Sequence, residues 1–167
     1  MIELKSISHS DISPREVEEI IKIKSLSWKY SFNEHEKWIK KNLKNADIHL
    51  MLFDGKNFIA YMNLISIQLS TNNVFTGAFG VGNVCTKRRG RGYGSQLMEA
   101  SNKFLVAIDM LGLLFCRPSL VHFYLEHGWE LLDKEILKLD FENSNIDTMI
   151  YNCEKKVTQL EYEGDKF

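Results

Sequence analysis

Residues 87–95 read Lys87-Arg88-Arg89-Gly90-Arg91-Gly92-Tyr93-Gly94-Ser95, and these residues give the strongest indication of the fold. A predicted strand over 78–86 precedes it, and a predicted amphipathic helix over 92–109 follows it. Glycines at alternate positions let the backbone turn so that successive N–H groups point into one concavity. The start of the helix adds free N–H groups and the positive end of its dipole. The pattern predicts a cup for a pyrophosphate, with the basic side chains available to a further phosphate.

Other interpretations of this stretch are weaker. It does not contain GxxxxGK[ST], which disfavours nucleotide hydrolysis, and it lacks the GxGxxG of a dinucleotide fold. A basic run is often only a solvated face, and this one could contact nucleic acid. The acidic last quarter of the chain and the lack of aromatic residues interleaved with the basic ones argue against nucleic-acid binding.

The pattern outward from the loop predicts a mixed α/β (α+β) single domain over residues 1–167. Turn signals and apolar periodicity give the order β-α-α-β-β-β-α-β-α-β-β. The predicted strands cover 2–8, 48–53, 58–69, 78–86, 113–116, 129–141 and 148–154. The predicted helices start at Ser13-Pro14, cover 34–45 and 92–109, and run from Pro118 to about His127.

Composition limits the function classes. The net charge of the 167 residues is -1, but residues 126–167 hold eleven of the 22 acidic and five of the 21 basic residues. Three dispersed cysteines, Cys85, Cys116 and Cys153, fit reduced thiols and support no zinc site or other metal. We find no signal-peptide pattern and no apolar run of membrane-spanning length, so we expect a cytoplasmic protein.

Two motifs together resemble a known family. Arg89-Gly90-Arg91-Gly92-Tyr93-Gly94 resembles the R/Q-x-x-G-x-G/A signature of GNAT (GCN5-related) N-acetyltransferases. Phe123-Tyr124-Leu125-Glu126-His127-Gly128-Trp129 resembles the family's FYxxxGF/W element, at matching spacing. The resemblance covers about residues 48–130 and implies a GNAT acyl-CoA N-acyltransferase fold. Within the family the chain looks most similar to aminoglycoside 2'-N-acetyltransferases, because of the strand led by His49, the long strand 58–69 and the Gly-Trp after Tyr124.

The resemblance also implies roles for particular residues, with acetyl-CoA as co-substrate. Tyr124 matches the general acid that protonates the leaving thiolate. The strand before the loop would pair with the pantetheine arm, and the loop would hold the pyrophosphate. The cofactor-binding residues implied in this way are Asn83, Val84, Cys85, Thr86, Arg89, Gly90, Arg91, Gly92, Tyr93, Gly94 and Ser95.

One departure from the family concerns the base that takes a proton from the amine. Gly80 stands where the aminoglycoside enzymes carry a glutamate, and the glycines there would leave room for a bulky acceptor or leave a water to take the proton. His122, Glu126 and His127 are candidate bases, although such residues are more often helix surface. An acyl-cysteine at Cys85 or Cys116 is disfavoured, because no neighbouring histidine in the sequence would activate the thiol.

The expected function is direct transfer of an acetyl group from acetyl-CoA to a primary amine of a small, cationic acceptor. The alternatives are a degenerate domain that senses acyl-CoA and an enzyme that acetylates peptides. The acidic end of the chain motivates the cationic acceptor, with Asp133 and Glu135 on one strand face and Asp140 and Glu142 beyond them. The expected partners include neither nucleic acid nor a membrane, and a homodimer is left open.

Overall fold

The computed structural model describes all residues, 1–167, as two compact units. The first unit comprises Met1–Ile65 and Gly82–Ser101, and the second comprises Ser66–Val81 and Asn102–Phe167. None of the helices is long and apolar enough to cross a membrane.

Nine strands and four α-helices follow one another along the chain. They are β1 (Ile2–Ser8), α1 (Pro14–Ser27), α2 (Phe32–Asn42), β2 (Ile48–Asp54), β3 (Asn57–Thr71), β4 (Val74–Thr86), α3 (Tyr93–Ala107), β5 (Leu111–Cys116), α4 (Val121–Leu125), β6 (Glu130–Leu132), β7 (Leu137–Leu139), β8 (Asp147–Tyr151) and β9 (Leu160–Tyr162). The mixed α/β class and the predicted order from β1 to α4 are confirmed.

In the first unit, β1, β2 and β3 form an antiparallel sheet. Leu4 lies opposite Leu52, which in turn lies opposite Ala60. The β2–β3 connection is the predicted tight turn, where Gly55 has a φ of 56° that favours glycine. Met51 of β2 lies directly opposite Tyr61 of β3, and because opposite residues of paired strands share a face, both pack in the core that α1 and α2 complete.

The two N-terminal helices start at capping boxes. The Ser13 hydroxyl accepts a hydrogen bond from the Glu16 backbone N–H, and the Glu16 carboxylate accepts one from the Ser13 N–H. Ser31 and Glu34 repeat this arrangement at α2. Each pair satisfies two backbone N–H groups that the first helical turn would leave without a partner.

In the second unit, β4 and β5 are parallel, with Gly80 opposite Leu113. Strand β8 pairs antiparallel with both β5 and β6, and β9 joins β3 to β7. Asn72 and Asn73 turn β3 into β4 in the left-handed conformation, with φ of 51° and 64°. Both central residues at positive φ are characteristic of a two-residue hairpin turn.

The prediction of one strand over 129–141 is wrong. The chain leaves β6 at Asp133, forms a 3-10 turn over Lys134–Ile136 and re-enters a strand as β7. The Lys134 ammonium donates to the carbonyls of Asn143 and Ser144, which stabilises the turn without glycine or proline. Asp133 and Glu135 therefore do not share a strand face.

Some element bounds also differ from the prediction. Helix α2 covers Phe32–Asn42 rather than 34–45, because Leu43 at its C-cap is already extended. Strand β4 begins at Val74 rather than at residue 78. Strand β9 was not predicted at all.

Candidate active site

The loop between β4 and α3 is open and basic. Gly90 and Gly92 adopt φ of 71° and 74°, and a side chain at either position would meet nothing within 4 Å. The three arginines of the loop, Arg88, Arg89 and Arg91, are exposed and take part in none of the ion pairs. Left-handed glycines next to a helix start leave backbone N–H groups free for an anion. The geometry is thus suited to the pyrophosphate and phosphate of CoA.

The loop is anchored at its first residue and continued by α3. The Lys87 backbone N–H donates to the carbonyl of Ile59 at 2.8 Å, which holds the end of β4 against β3. The Gln96 N–H donates to the Gly92 carbonyl at 3.0 Å, so helical hydrogen bonding begins within the loop. Tyr93, Gly94 and Ser95 form the half-buried first turn of α3.

The end of β4 carries a local irregularity at Asn83. This residue has a φ of 54°, which is uncommon for a residue other than glycine. Its side-chain amide donates from Nδ2 to Oδ1 of Asn63 at 2.8 Å. Asn63 is fully buried, and its own Nδ2 has no hydrogen-bond partner. An irregular strand backbone leaves peptide groups available to a bound molecule.

Two thiols in β4 and β5 are structural. Burial raises the pKa of Cys85 to about 12 and that of Cys116 to about 11. Cys116 lies 4.0 Å from the sulfur of Met149, and no hydrogen bond joins either thiol to a histidine. Because the thiolate is the nucleophile, these thiols are poorly suited to covalent catalysis. Beside Cys85, Val84 and Thr86 are half-buried, and the Thr86 hydroxyl donates to the Arg88 carbonyl at 3.4 Å.

Tyr124 is a buried phenol on α4. Its ring packs edge-on against Phe123 and Trp129, with centroids 5.2 and 6.3 Å apart. Burial, and then the neighbouring Cys116, raise the pKa of Tyr124 to about 12. The hydroxyl therefore keeps its proton throughout the neutral range and can act as a proton donor.

The turn after α4 is fixed by Asn102 of α3. Its Nδ2 donates to the His127 carbonyl at 2.8 Å, and its Oδ1 accepts from the Trp129 indole at 3.0 Å. The Trp129 backbone N–H donates to the Tyr124 carbonyl at 3.2 Å. The Gly-Trp of the sequence motif thus positions the helix that bears the phenol.

The three candidate bases next to Tyr124 make their contacts within α4 and the turn that follows it. His122 and Glu126 form an exposed pair at 3.3 Å, and His127 donates from Nδ1 to the Phe123 carbonyl at 2.7 Å. Exposed pairs of this kind contribute little and are common on helix surfaces. We therefore do not place the base among them.

The space beside Gly80 is filled by the chain itself. A side chain on Gly80 would stand 2.4 Å from Cζ of Phe167. The Phe167 ring packs against Phe115, with centroids 4.9 Å apart, and Tyr162 and Phe141 complete an aromatic cluster. The expectation that Gly80 leaves room for a bulky acceptor is wrong, because an aromatic ring occupies that room.

Sequence reasoning missed a buried polar group on β2 and β3. It comprises the His9–His49–Tyr61 string of hydrogen bonds and Asn63. Polar residues at alternate positions of an otherwise apolar strand, such as Tyr61 and Asn63, were the available signal. No group of three or more His, Cys, Asp or Glu side chains is arranged as metal ligands.

Comparisons with known proteins agree with this fold. A family model described as an acetyltransferase (GNAT) domain matches residues 9–132. An acyl-CoA N-acyltransferase from Pseudomonas aeruginosa superposes with a TM-score of 0.63 at 17% identity, covering 90% of this chain and 99% of that one. ElaA from Escherichia coli gives 0.61 at 17% identity, with the same coverage.

A chimera of the Vibrio cholerae spermidine N-acetyltransferase SpeG and hSSAT superposes with a TM-score of 0.59 at 18% identity. It covers 89% of this chain and 94% of that one. No curated protein matches the sequence significantly. At such identities the solved structures establish the fold, and the match of the family model to most of the chain establishes the family. The chain is therefore an acyltransferase that belongs to the GNAT acetyltransferase family.

Proposed function

We propose that this protein transfers an acetyl group from acetyl-CoA to a primary amine of a small, cationic molecule, directly in a ternary complex. The observation that carries the proposal is the exposed loop with left-handed Gly90 and Gly92, between β4 and the start of α3. Its free backbone N–H groups and unpaired arginines are suited to the phosphates of CoA. The irregular backbone at Asn83 offers hydrogen bonds to the pantetheine arm.

Acetyl-CoA supplies the thioester in this reaction, and the protein handles the protons. The amine nitrogen bonds to the carbonyl carbon, the carbon–sulfur bond breaks, and the amine gives up one proton. The Tyr124 hydroxyl donates its proton to the departing sulfur. The raised pKa of Tyr124, about 12, keeps that proton available at neutral pH.

The acceptor class follows from the aromatic cluster of Phe115, Phe141, Tyr162 and Phe167. Asp165 and Asp140 add to the effect of burial in raising the pKa of Tyr162, so both carboxylates act electrostatically on this member of the cluster. Aromatic faces next to carboxylates attract organic cations. By the family resemblance, Gly80 stands where related enzymes carry the glutamate that takes the amine proton, and Phe167 of this cluster packs against Gly80. A polyamine or an aminoglycoside-like amine has the required charge.

Only one of the four acidic residues expected to attract the acceptor remains a candidate. Asp133 precedes an exposed 3-10 turn and Glu135 lies within it, and the Glu142 carboxylate accepts a hydrogen bond from the Ser144 N–H. Asp140 is the one of the four that acts on Tyr162. We therefore assign Asp140 and Asp165 to acceptor recognition.

The test is a panel of amines with acetyl-CoA, read as release of free thiol at several ionic strengths. We expect spermidine and aminoglycosides to exceed neutral-flanked peptides in kcat/KM, most strongly at low salt. Asp140→Asn and Asp165→Asn should raise KM for the polycations and flatten the salt dependence, whereas Asp133→Asn should leave both unchanged. A higher kcat/KM for the peptides, with no salt dependence of kcat/KM for the polycations, would refute the proposed class of acceptor.

A second candidate function is an acyl-CoA sensor. It is favoured by the absence of a carboxylate at Gly80, where the aromatic ring of Phe167 packs instead. A sensor would bind acetyl-CoA and release no thiol with any amine of the panel. Thiol release above the rate of hydrolysis with any amine would exclude it.

A further inference from the structure

A string of hydrogen bonds joins three side chains of the first unit. His9 and His49 share a hydrogen bond between Nδ1 and Nε2 at 2.9 Å. His49 and Tyr61 share a second one between Nδ1 and the phenol oxygen at 2.8 Å. His49 and Tyr61 are fully buried, while His9 is only half-buried. The string therefore runs from the core to the solvent side of the protein.

Strand pairing places this string next to Asn63. His49 of β2 lies directly opposite Asn63 of β3, and Tyr61 is two residues before Asn63. Residues opposite one another and residues two apart share a face of the sheet. His9 is held at the outer end by its backbone N–H, which donates to the Asp47 carbonyl at 2.8 Å.

The chemistry of His49 suits the passage of a proton. Burial, then His9 and Lys24, lower the pKa of His49 to about 4, and Glu16 opposes the shift. The ring is therefore neutral near pH 7, with one nitrogen that donates and one that accepts. A proton that arrives from either side does not remain on His49, because the charged form is disfavoured there.

Asn63 connects the string to the strand that would bind the cofactor. Its Oδ1 accepts from Asn83, the left-handed residue of β4 that the family resemblance places beside the pantetheine arm. Its Nδ2 is buried without a hydrogen-bond partner and can donate a hydrogen bond to a water or to the amine substrate. Asn63 therefore lies on the same sheet face as the inner end of the string and is hydrogen-bonded to Asn83 of β4.

We propose that the Tyr61–His49–His9 string carries the proton that the acceptor amine loses to the solvent. This inference rests on the proposed acetyl transfer. A water bound by Asn63 takes the amine proton and passes a proton to the Tyr61 oxygen. The phenol proton moves to Nδ1 of His49, the Nε2 proton of His49 moves to Nδ1 of His9, and His9 releases its Nε2 proton to bulk water. The string thereby replaces the carboxylate that is absent at Gly80.

The test compares pH profiles of kcat/KM for His49→Gln and the wild type, with the best amine of the panel. Glutamine keeps one donor and one acceptor but cannot pass a proton. We expect a loss of about 10²–10⁴-fold near neutral pH, the usual contribution of general base catalysis. The loss should shrink as rising pH deprotonates the amine in solution. Acetyl-CoA affinity should be unchanged.

His35→Gln is the matched control, because His35 is also buried in the first unit and donates to the Trp28 carbonyl outside the string. It should keep the wild-type profile. His9→Gln at the half-buried end is the second variant should His49→Gln not fold, and the same loss is expected. Wild-type turnover with an unchanged profile in either variant would overturn the proton path alone. A wild type that acetylates no amine would overturn the proposed function.

Discussion

The ring of Phe167 lies where a side chain on Gly80 would have to be. A Cβ added at Gly80 would stand 2.4 to 2.7 Å from three carbons of that ring. Real Cβ atoms do not approach other atoms so closely, so any larger residue must displace the ring. The glycine is explained by this packing rather than by space for a substrate.

Gly80→Ala should therefore destabilise the protein only while the ring is present. Displacing the Phe167 ring from Phe115 and Tyr162 should lower the free energy of unfolding by about 1–3 kcal/mol. In a Phe167→Ala background the same substitution should cost far less, and this difference is the coupling energy of a double-mutant cycle. Denaturant unfolding of the four proteins measures it.

Gly77→Ala on the same strand is the matched control. Its Cβ would meet Gln68 and Met110 at 3.7 Å, which is ordinary contact, so we expect a small effect that is independent of Phe167. Additive costs for Gly80→Ala and Phe167→Ala would show that the ring is not the obstacle.

Gly92→Val should weaken CoA binding without unfolding the protein. A side chain at Gly92 meets no other atoms, but its φ of 74° is strained for a β-branched residue, so the loop should move out of its cup conformation. We expect CoA affinity to fall at least about tenfold, measured by calorimetry.

Gly55→Val imposes the same kind of strain in open space at the β2–β3 turn. It should leave CoA affinity unchanged and should lower the free energy of unfolding about as much as Gly92→Val does. A folded Gly92→Val protein that binds CoA like the wild type would refute the assignment of the phosphates to this loop.

Tyr124→Phe should abolish proton donation and preserve the packing. The ring contacts with Phe123 and Trp129 remain, so CoA should still bind, while kcat should fall by about 10²–10⁴-fold. Tyr151→Phe removes a hydroxyl from the ring that stacks on Trp129 and should leave kcat unchanged. Full turnover of Tyr124→Phe, with chemistry rate-limiting, would make Tyr124 a packing residue.

The parts of the fold that could be predicted have local causes. Ser13-Pro14 starts α1, the turn at Gly55 joins β2 to β3, and alternate glycines open the loop before α3. Each signal lies within a few residues of the structure that it specifies. The break at Asp133 has no such signal, because it is stabilised by a lysine that reaches carbonyls nine and ten residues away.

The parts of the site that could not be predicted depend on distant contacts. His9 and His49 are 40 residues apart, and their hydrogen bond exists only once β1 and β2 pair. Phe167 and Gly80 belong to distant parts of the chain, so the missing glutamate suggested space where an aromatic ring lies. Spacing along the sequence predicted the loop and the phenol as site residues, whereas only the strand register brings the buried polar side chains together.

Lys24 is a buried lysine without a carboxylate partner. It is 2% exposed, its ammonium lies 4.2 Å from the centroid of the Trp38 ring, and it forms none of the ion pairs. Burial lowers the pKa of Lys24 from 10.5 to about 8, and Cys85 opposes the shift. The unfolded chain therefore binds the proton up to a higher pH than the folded chain. The free energy of unfolding should rise as the pH increases from about 8 to 10.5. Below pH 8 the buried charge should lower it by its full amount.

Lys24→Met should stabilise the protein at pH 7. The charge costs about 3 kcal/mol there from the pKa difference, and the lost contact with Trp38 offsets about 0.5–2 kcal/mol, which leaves a net gain of about 1–3 kcal/mol. The gain over the wild type should be nearly gone by about pH 10.5, because the folded wild-type amine is then neutral and the unfolded one is only half protonated. Denaturant unfolding at pH 7, 9 and 10.5 measures it. Lys22→Met, at an exposed lysine of the same helix paired with Glu19, should leave the free energy of unfolding almost unchanged. A Lys24→Met protein that is less stable than the wild type at pH 7 would show that the contact with Trp38 outweighs the cost of burying the charge.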